Sequence, residues 1–158
     1  LRRVSITDRH GGVMDAVPSD AEFLVRIEYT VTSPIENVRV GFRLHTNDGT
    51  LVFTTGDTDP AGTGAPRRPG THTSICTIPG NLLNEGHYYV TVACDQPGHE
   101  ILFVHEHVVT FTIYMTGGAG AAVRDGRLGV IRPALGWSML PPMSDAPASH
   151  MASSMRDA

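Results

Sequence analysis

The chain has 158 residues, of which 18% are charged, and its formal net charge is −4. This length is sufficient for one domain with its own hydrophobic core. Lysine is absent, so the positive side-chain charge comes from 12 arginines, and the balance argues against a nucleic-acid-binding surface, which needs clustered Lys and Arg. No apolar run reaches the roughly 18 residues that a membrane-spanning helix needs.

The first predicted elements are two half-buried strands, over residues 23–32 and 37–46. In both, apolar residues alternate with polar ones, which is the pattern of a strand with one face against a core. Asn47-Asp48-Gly49 then predicts a hairpin turn, and residues 51–53 predict the returning strand. Residues 56–70 are rich in Gly and Pro and predict a polar loop.

The rest of the chain continues as short strands between turn-forming residues. Strands are predicted over 71–78, 87–94, 101–104, 107–115 and 128–132. Because no stretch repeats with the period of an amphipathic helix, the sequence predicts an all-β fold, an antiparallel β-sandwich. We expect one domain over residues 1–137 and a disordered tail over 138–158, which is rich in Pro, Ser, Ala and Met.

The two cysteines, Cys76 and Cys94, predict free thiols in strands, since two cysteines do not make a disulfide framework. Free thiols favour a reducing compartment, so we expect a cytoplasmic protein. The N-terminal residues LRRVSITD include no apolar stretch of signal-peptide length and no initiator Met. We therefore expect the chain to be part of a longer protein.

Two features of the loop over residues 56–70 suggest a phosphate site and a calcium site, but each lacks residues that such a site needs. The glycines of residues 56–70 invite a phosphate-binding interpretation, yet a P-loop needs a Gly-Lys-Ser/Thr motif and the chain has no lysine. We therefore expect no ATP hydrolysis by this chain. Asp57 and Asp59 have the spacing of calcium ligands without the further acidic positions and the closing Glu, so a solvated loop is expected there.

His105-Glu106-His107 is the most metal-like element of the chain. In an extended strand the two imidazoles share one face and could hold one ion together with His99 or Asp95. The alternative, which we favour, is a polar strand edge whose imidazoles bond to backbone or water. Since no nucleophile elbow or marked carboxylate pair is present either, we expect no catalytic residues, no metal and no cofactor.

The outward-facing residues of two strands form the candidate binding site. They are Arg39, Arg43 and His45 on 37–46, around a gap at Gly41, and His87, Tyr89 and Thr91 on 87–94. If both strands lie in one sheet, these groups surround a shallow floor. Proteins bind sugars on surfaces of this kind. Polar side chains form hydrogen bonds with the sugar hydroxyls, and an aromatic ring, here Tyr89, packs on the apolar C–H face of the sugar. The alternative is an ordinary solvated sheet face.

Six segments in this order resemble the Wzt C-terminal domain family over nearly the whole of residues 1–137: VSITDRHGG, IEYTV, VRVGFRLHTNDGTLVFTTGDTD, LLNEGHYYVTVAC, HVVTFTIYM and GVIRPALGW. The first has the strand and Asp-x-x-Gly turn of the family, the third its long hairpin, and the fourth its Leu-x-x-Gly-x-Tyr approach to a strand. Each segment alone is unspecific, but their order and spacing together indicate the family.

The resemblance implies an immunoglobulin-like β-sandwich at the C-terminus of the ATP-binding subunit of a polysaccharide ABC transporter, peripheral to the inner membrane. It implies a carbohydrate-binding module that recognises the modified non-reducing end of an O-antigen polysaccharide, in lipopolysaccharide biosynthesis, for export. The implied partners are this glycan, the ATPase and membrane subunits of the transporter, and a second copy in a homodimer. By analogy, Leu128–Ile131 is the strand exchanged in that dimer and Trp137 locks it in place.

Two other functions remain open at this point. A structural or dimerisation module would position the ATPase subunits without a ligand of its own. A metal-dependent hydrolase would rest on His105, His107 and a third ligand.

Overall fold

The computed structural model describes residues 1–59, 65–116, 128–133 and 135–140, so most of the predicted tail over 138–158 lies outside the described residues. The described part contains strands and no helix. The strands are β1 (Arg3–Thr7), β2 (Ala16–Pro18), β3 (Phe23–Val31), β4 (Ile35–Thr46), β5 (Leu51–Gly56), β6 (Ala65–Arg67), β7 (Gly70–Ile78), β8 (Gly86–Gln96) and β9 (Glu100–Tyr114). The all-β prediction is confirmed.

The strands form two sheets around one core. The smaller sheet has the order β1-β3-β7, and β3 pairs antiparallel with both neighbours. The larger sheet has the order β2-β9-β8-β4-β5, and β6 pairs with β4. Its pairs are antiparallel except that β2 runs parallel to β9. This is the predicted immunoglobulin-like β-sandwich.

The alternation of residues along the strands builds the core. Every second residue from Phe23 to Tyr29 on β3, and from Val38 to Leu44 on β4, is buried in one hydrophobic cluster. Each buried side chain of this size contributes roughly 1.5–3 kcal/mol by leaving water. The opposite face of β4 points to solvent, and the candidate site lies on that face.

The turn at Asn47-Asp48-Gly49 joins β4 to β5 as predicted. Gly49 has a φ of 89°, which glycine adopts without steric cost, and its N–H donates to the Thr46 carbonyl at 2.9 Å. The Asp48 carboxylate accepts from the Thr46 hydroxyl and, at 3.1 Å, from the Thr50 N–H. These bonds close the turn and thereby help to set the register of β5 on β4.

Two strand boundaries predicted from the alternation of apolar and polar residues are wrong, because local irregularities in pairing do not show in that alternation. The predicted strands over 101–104 and 107–115 are instead parts of one long strand, β9, which ends at Tyr114. Two bulges in β9 accommodate the residues that break the alternation. The predicted loop over 56–70 contains the short strand β6, which pairs with the start of β4.

Residues 128–132 do not form the last strand that the sequence predicted. Residues 130–132 instead run beside residues 82–84 of the same chain, through one isolated bridge and two flanking backbone hydrogen bonds of 2.9 Å. Pro133 follows directly, and its nitrogen has no hydrogen to donate to a longer ladder.

Both cysteines are free, as the sequence predicted. Cys94 is buried on β8, and Cys76 on β7 is half-buried. Burial raises the pKa of the Cys94 thiol to about 11 and also raises the pKa of Cys76. Both side chains are therefore neutral thiols near pH 7, and neither is an activated nucleophile.

A polar tie, formed by Arg67, Asp57, Tyr29 and Ser74, joins the two sheets. Arg67 donates to the Tyr29 hydroxyl at 3.0 Å and to the Asp57 carboxylate at 2.7 Å. The same carboxylate accepts from the Ser74 hydroxyl at 2.8 Å and from the Val40 N–H at 3.0 Å. The expectation of a solvated loop at Asp57 is wrong, because this side chain bonds to elements of both sheets.

We expect replacement of Asp57 by alanine to lower the free energy of unfolding by about 2 kcal/mol, because Arg67 and Ser74 then lose an acceptor in a largely covered site. Urea denaturation followed by circular dichroism measures the change. The matched control is Asp15→Ala, at an exposed position, which should stay within about 0.5 kcal/mol of the native chain. Equal stability of the two variants would contradict the role of the polar tie.

Candidate functional site

A shallow depression lies on the outer face of the larger sheet. Its volume is about 470 Å³, and adjacent strands β5, β4, β8 and β9 contribute to its lining. The residues that matter for its chemistry are Arg39, Arg43, Asp59, Asp95, Ile101 and Val104. The assumption that 37–46 and 87–94 share a sheet is correct, since β4 and β8 pair directly.

Gly41 forms the floor of the depression between the two arginines of β4. A Cβ atom at this position would collide with the Thr55 carbonyl oxygen and lie 3.0 Å from the Cα of Gly56. The backbone of β5 thus passes too close for any side chain at Gly41. The sequence predicted an open gap among the outward residues of β4, but the backbone of β5 occupies the space directly beside Gly41.

Arg39 and Asp95 form a fixed ion pair in the depression. They are cross-strand partners, and the guanidinium donates from Nε to Oδ1 at 2.9 Å and from Nη2 to Oδ2 at 2.5 Å. The hydrogen bond to Asp95 raises the pKa of Arg39. The two side chains remain 43% and 21% exposed, so the pair offers oriented donors and acceptors to a ligand from solvent.

Asp59 adds a second carboxylate to the depression. It accepts hydrogen bonds from the Thr55 hydroxyl at 2.6 Å and from the Gly56 N–H at 2.8 Å. These two bonds lower the pKa of Asp59, and the charge of Arg39 lowers it further. Asp59 is therefore ionised near pH 7. Sequence reasoning assigned it to a solvated loop and missed its place in the site.

Arg43 is the other cation of the depression. It lies opposite Thr54 of β5 and Thr91 of β8, and its side chain is exposed. Within the described ranges its guanidinium makes no hydrogen bond or ion pair with another residue. Arg43 thus differs from Arg39, whose guanidinium is already held by a carboxylate.

Three aromatic rings stack across β4, β8 and β9 beyond Arg43. The ring centroids of His45 and Tyr89 are 4.8 Å apart, and those of Tyr89 and His107 are 3.6 Å apart. The interplanar angles are 9° and 16°. Because β8 lies between the other two strands, the two imidazoles cover opposite faces of the phenol ring. The expectation that Tyr89 offers a free plate to a sugar is wrong for this arrangement.

The metal hypothesis for His105-Glu106-His107 assumed a regular extended strand, and β9 is not regular at these residues. Val90 and Val92 are two residues apart on β8, but their partners, Val109 and His105, are four apart on β9, so β9 bulges by two residues. His107 has a φ of 50° in this bulge, and the regular alternation that would place both imidazoles on one face is lost. Among the described residues no cluster of three metal-ligating side chains occurs.

The remaining two predicted site residues do not line the depression. His87 lies nearer the start of β8, where its Nδ1 is 2.9 Å from the Thr112 hydroxyl. Thr91 is only 3% exposed, because it lies opposite the extra residues of β9. The prediction that Thr91 faces solvent is wrong. Of the six predicted residues, Arg39 and Arg43 line the depression, and His45 and Tyr89 flank it in the ring stack.

Sequence reasoning missed the apolar part of the site, Ile101 and Val104 of β9. Their exposed fractions are 66% and 40%, high for aliphatic side chains, and both line the depression. Val104 pairs with Ala93, and Ile101 pairs with Asp95 after a further one-residue bulge. That bulge, which no local residue pattern marks, turns Ile101 to the outer face.

A second cavity, of about 320 Å³, opens between the two sheets beside β5 and β7. Its lining is mainly apolar and includes Val40, Phe42 and Cys76. Its two carboxylates, Asp57 and Asp59, already accept hydrogen bonds from other residues of the protein, and the exposed surface of its lining is mostly apolar. The depression on the outer face is therefore the better candidate for a polar ligand.

A sequence model of the Wzt C-terminal domain matches residues 1–123 of the chain. The fold is similar to a crystal structure of the C-terminal domain of wzt, with a TM-score of 0.67 and 12% sequence identity, over 87% of this chain and 81% of that one. At this identity the likeness shows the fold alone. No curated protein matches the chain by sequence. The described residues include no helix with the length and apolar character to cross a membrane.

We expect Gly41→Ala to lower the free energy of unfolding by about 1–3 kcal/mol, because β5 must move away from the new Cβ. Thermal and urea denaturation measure the loss. Gly136→Ala is the matched control, since a Cβ there meets nothing within 4 Å, and its stability should not change. A Gly41→Ala variant as stable as this control would show that β5 does not restrict the floor.

Proposed function

This chain belongs to the Wzt C-terminal domain family, and from that premise we propose that it binds the end of an O-antigen polysaccharide. Domains of this family are part of the ATPase subunit of an ABC transporter. In our proposal the domain recognises the modified non-reducing end of the glycan and thereby selects it for export. It acts on the cytoplasmic side of the inner membrane, where the ATPase and membrane subunits of the transporter hold it.

The depression on the outer face of the larger sheet carries this proposal. Its volume of about 470 Å³ is in the range of small-ligand sites. Sugar hydroxyls both donate and accept hydrogen bonds, and the Arg39–Asp95 pair and Asp59 present both kinds of partner in fixed positions. Ile101 and Val104 supply apolar surface beside these polar groups.

The proposed action is capture without chemistry. The arginines and carboxylates of the depression act as hydrogen-bond partners, and we propose no bond cleavage and no cofactor. Binding of a single site should be weak to moderate, because a hydroxyl-rich ligand gives up many contacts with water. Two linked copies would raise the apparent affinity through avidity.

Calorimetric titration with the O-polysaccharide of the organism that makes the protein tests the proposal. We expect the double variant Arg39→Ala, Arg43→Ala to lose roughly tenfold or more in affinity, since both guanidinium groups line the depression. Arg26→Ala is the matched control, because Arg26 lies on β3 of the smaller sheet, opposite Ser5 and Ile75.

The control should bind like the native chain. Absence of heat and of NMR shifts with the native polymer would overturn the proposed function. An unchanged affinity in the double variant would exclude the depression as the site.

A second candidate function, dimerisation, is favoured by exposed apolar residues at the C-terminal end of the described chain. They are Leu128, Leu135, Trp137, Met139 and Leu140, and Trp137 is 93% exposed. Apolar area left in water costs roughly 25 cal/mol per Å², so such residues favour a covering partner. We propose a second copy of the chain as that partner, in a homodimer.

The route to this dimer is exchange of Leu128–Ile131, as the family resemblance implies. In the single chain, residues 130–132 run beside residues 82–84. In the proposed dimer the same contacts form between copies, and Trp137 packs against the partner. The exchanged dimer thus needs no new hydrogen-bonding surface.

Light scattering with size-exclusion chromatography tests this dimer. We expect the native chain to be dimeric at micromolar concentration and the variant Leu135→Ser, Trp137→Ser to dissociate at least roughly tenfold more readily, because its apolar contact is removed. Val13→Ser, at an apolar residue that is 65% exposed elsewhere on the surface, is the control and should leave the mass unchanged. A native chain that stays monomeric would contradict the proposal.

A further inference from the structure

We infer that the depression on the larger sheet is built for a neutral, hydroxyl-rich sugar residue and disfavours an anionic one. This inference rests on the proposed glycan-binding function and names the chemical class that the site takes. Three features of the depression lead to it: the balance of its charges, the ion pair that already holds Arg39, and the aliphatic character of its apolar surface.

The charges of the depression cancel one another. Of its described lining residues, Arg39 and Arg43 are positive, and Asp59 and Asp95 are negative. The hydrogen bonds from Thr55 and the Gly56 N–H favour the ionised form of Asp59. A bound carboxylate or phosphate would therefore meet two like charges as well as two opposite ones, and the repulsion offsets the attraction.

Neither arginine is arranged to capture an anion strongly. Arg39 already uses Nε and Nη2 on the carboxylate of Asp95, so an anion that sought the same fork would leave Asp95 without its partner. Arg43 is exposed, and ion pairs in contact with water are weak. A hydroxyl, by contrast, needs only one remaining N–H of Arg39 or one lone pair of Asp95, and the ion pair stays intact.

The apolar surface of the depression is aliphatic. Ile101 and Val104 line it, whereas both faces of the Tyr89 ring are covered by His45 and His107. A pyranose ring can place its C–H face on Ile101 and Val104 while its hydroxyls reach the Arg39–Asp95 pair. A carboxylate substituent beside the same aliphatic side chains would lose hydration, and it would meet the guanidinium of Arg43 only in contact with water, where an ion pair is weak.

Matched pairs of methyl glycosides test the inference on the 158-residue chain: methyl galactoside with methyl galacturonoside, glucoside with glucuronoside, and mannoside with mannuronoside. Each pair differs only in a CH2OH or a carboxylate at C6. The readout is the NMR shift of the backbone amides of Gly41, Ala93 and Val104 during titration. We expect at least one neutral glycoside to bind and its uronoside to bind at least roughly tenfold more weakly. Raising the salt from about 50 to about 500 mM should change the neutral affinity by less than about twofold.

The variant Asp95→Asn changes the net charge of the described lining from zero to +1, because Arg39 loses the carboxylate of its ion pair. It should bind the uronoside with an affinity close to that for the neutral partner. Asp15→Asn changes the net charge equally at an exposed position on a different segment and should keep the preference of the native chain.

Two results overturn the inference, and they are distinguishable. If the native chain prefers a uronoside, and Arg43→Gln removes that preference, the site is an anion site and the proposed glycan binding still stands. If no glycoside shifts the signals of these amides, although the protein is folded, the depression is not a sugar site. That result would overturn both the inference and the proposed location of the site.

Discussion

The pleat of β4 is the constraint on which the candidate site depends. Because successive side chains of a strand point to opposite faces, burial of Val40 and Phe42 obliges Arg39 and Arg43 to face solvent. A slip of one residue would drive both arginines into the core, so the register is strongly determined. The antiparallel pairing with β8 then places Asp95 opposite Arg39, where the two side chains form the ion pair. Thus the packing of the core assembles the Arg39–Asp95 pair and turns Arg43 to the same face, and the turn after β5 adds Asp59.

Alternation was sufficient to predict β3, β4 and β8 and the buried face of each, because these strands are regular along most of their length. It also predicted the outward position of both arginines, but not that the backbone of β5 fills the space beside Gly41. It was not sufficient for β9, since a bulge depends on how a strand fits its neighbour and leaves no mark in the local residue pattern. The bulges of β9 turn Ile101 outward and close the space around Thr91. Likewise, Asp57 and Asp59 look equivalent in the sequence, but one ties the sheets and the other lines the depression.

Because the rings of His45, Tyr89 and His107 stack on one another, this face does not offer the aromatic plate that the sequence predicted for a sugar. Stacking of His45 and His107 on Tyr89 uses the aromatic surface within the protein, so a ligand meets ring edges and polar atoms there. In the binding that we propose, specificity depends on oriented hydrogen bonds from the Arg39–Asp95 pair and on shape against Ile101 and Val104. Such a proposed site would discriminate between stereoisomers of a sugar through the placement of each hydroxyl, because an unmatched hydroxyl leaves a polar group of the protein without a partner. The proposed recognition of the end of one polysaccharide requires discrimination of this kind.

Amide hydrogen exchange with and without the O-polysaccharide of the producing organism tests most directly whether the outer face of the larger sheet binds the glycan. If it does, peptides that cover β4 around Gly41, β8 around Ala93 and β9 around Val104 become protected, whereas peptides of β1, β3 and β7 exchange at the same rate in both samples. Protection of the smaller sheet alone, with the peptides around Gly41, Ala93 and Val104 unchanged, would contradict the assignment of the depression.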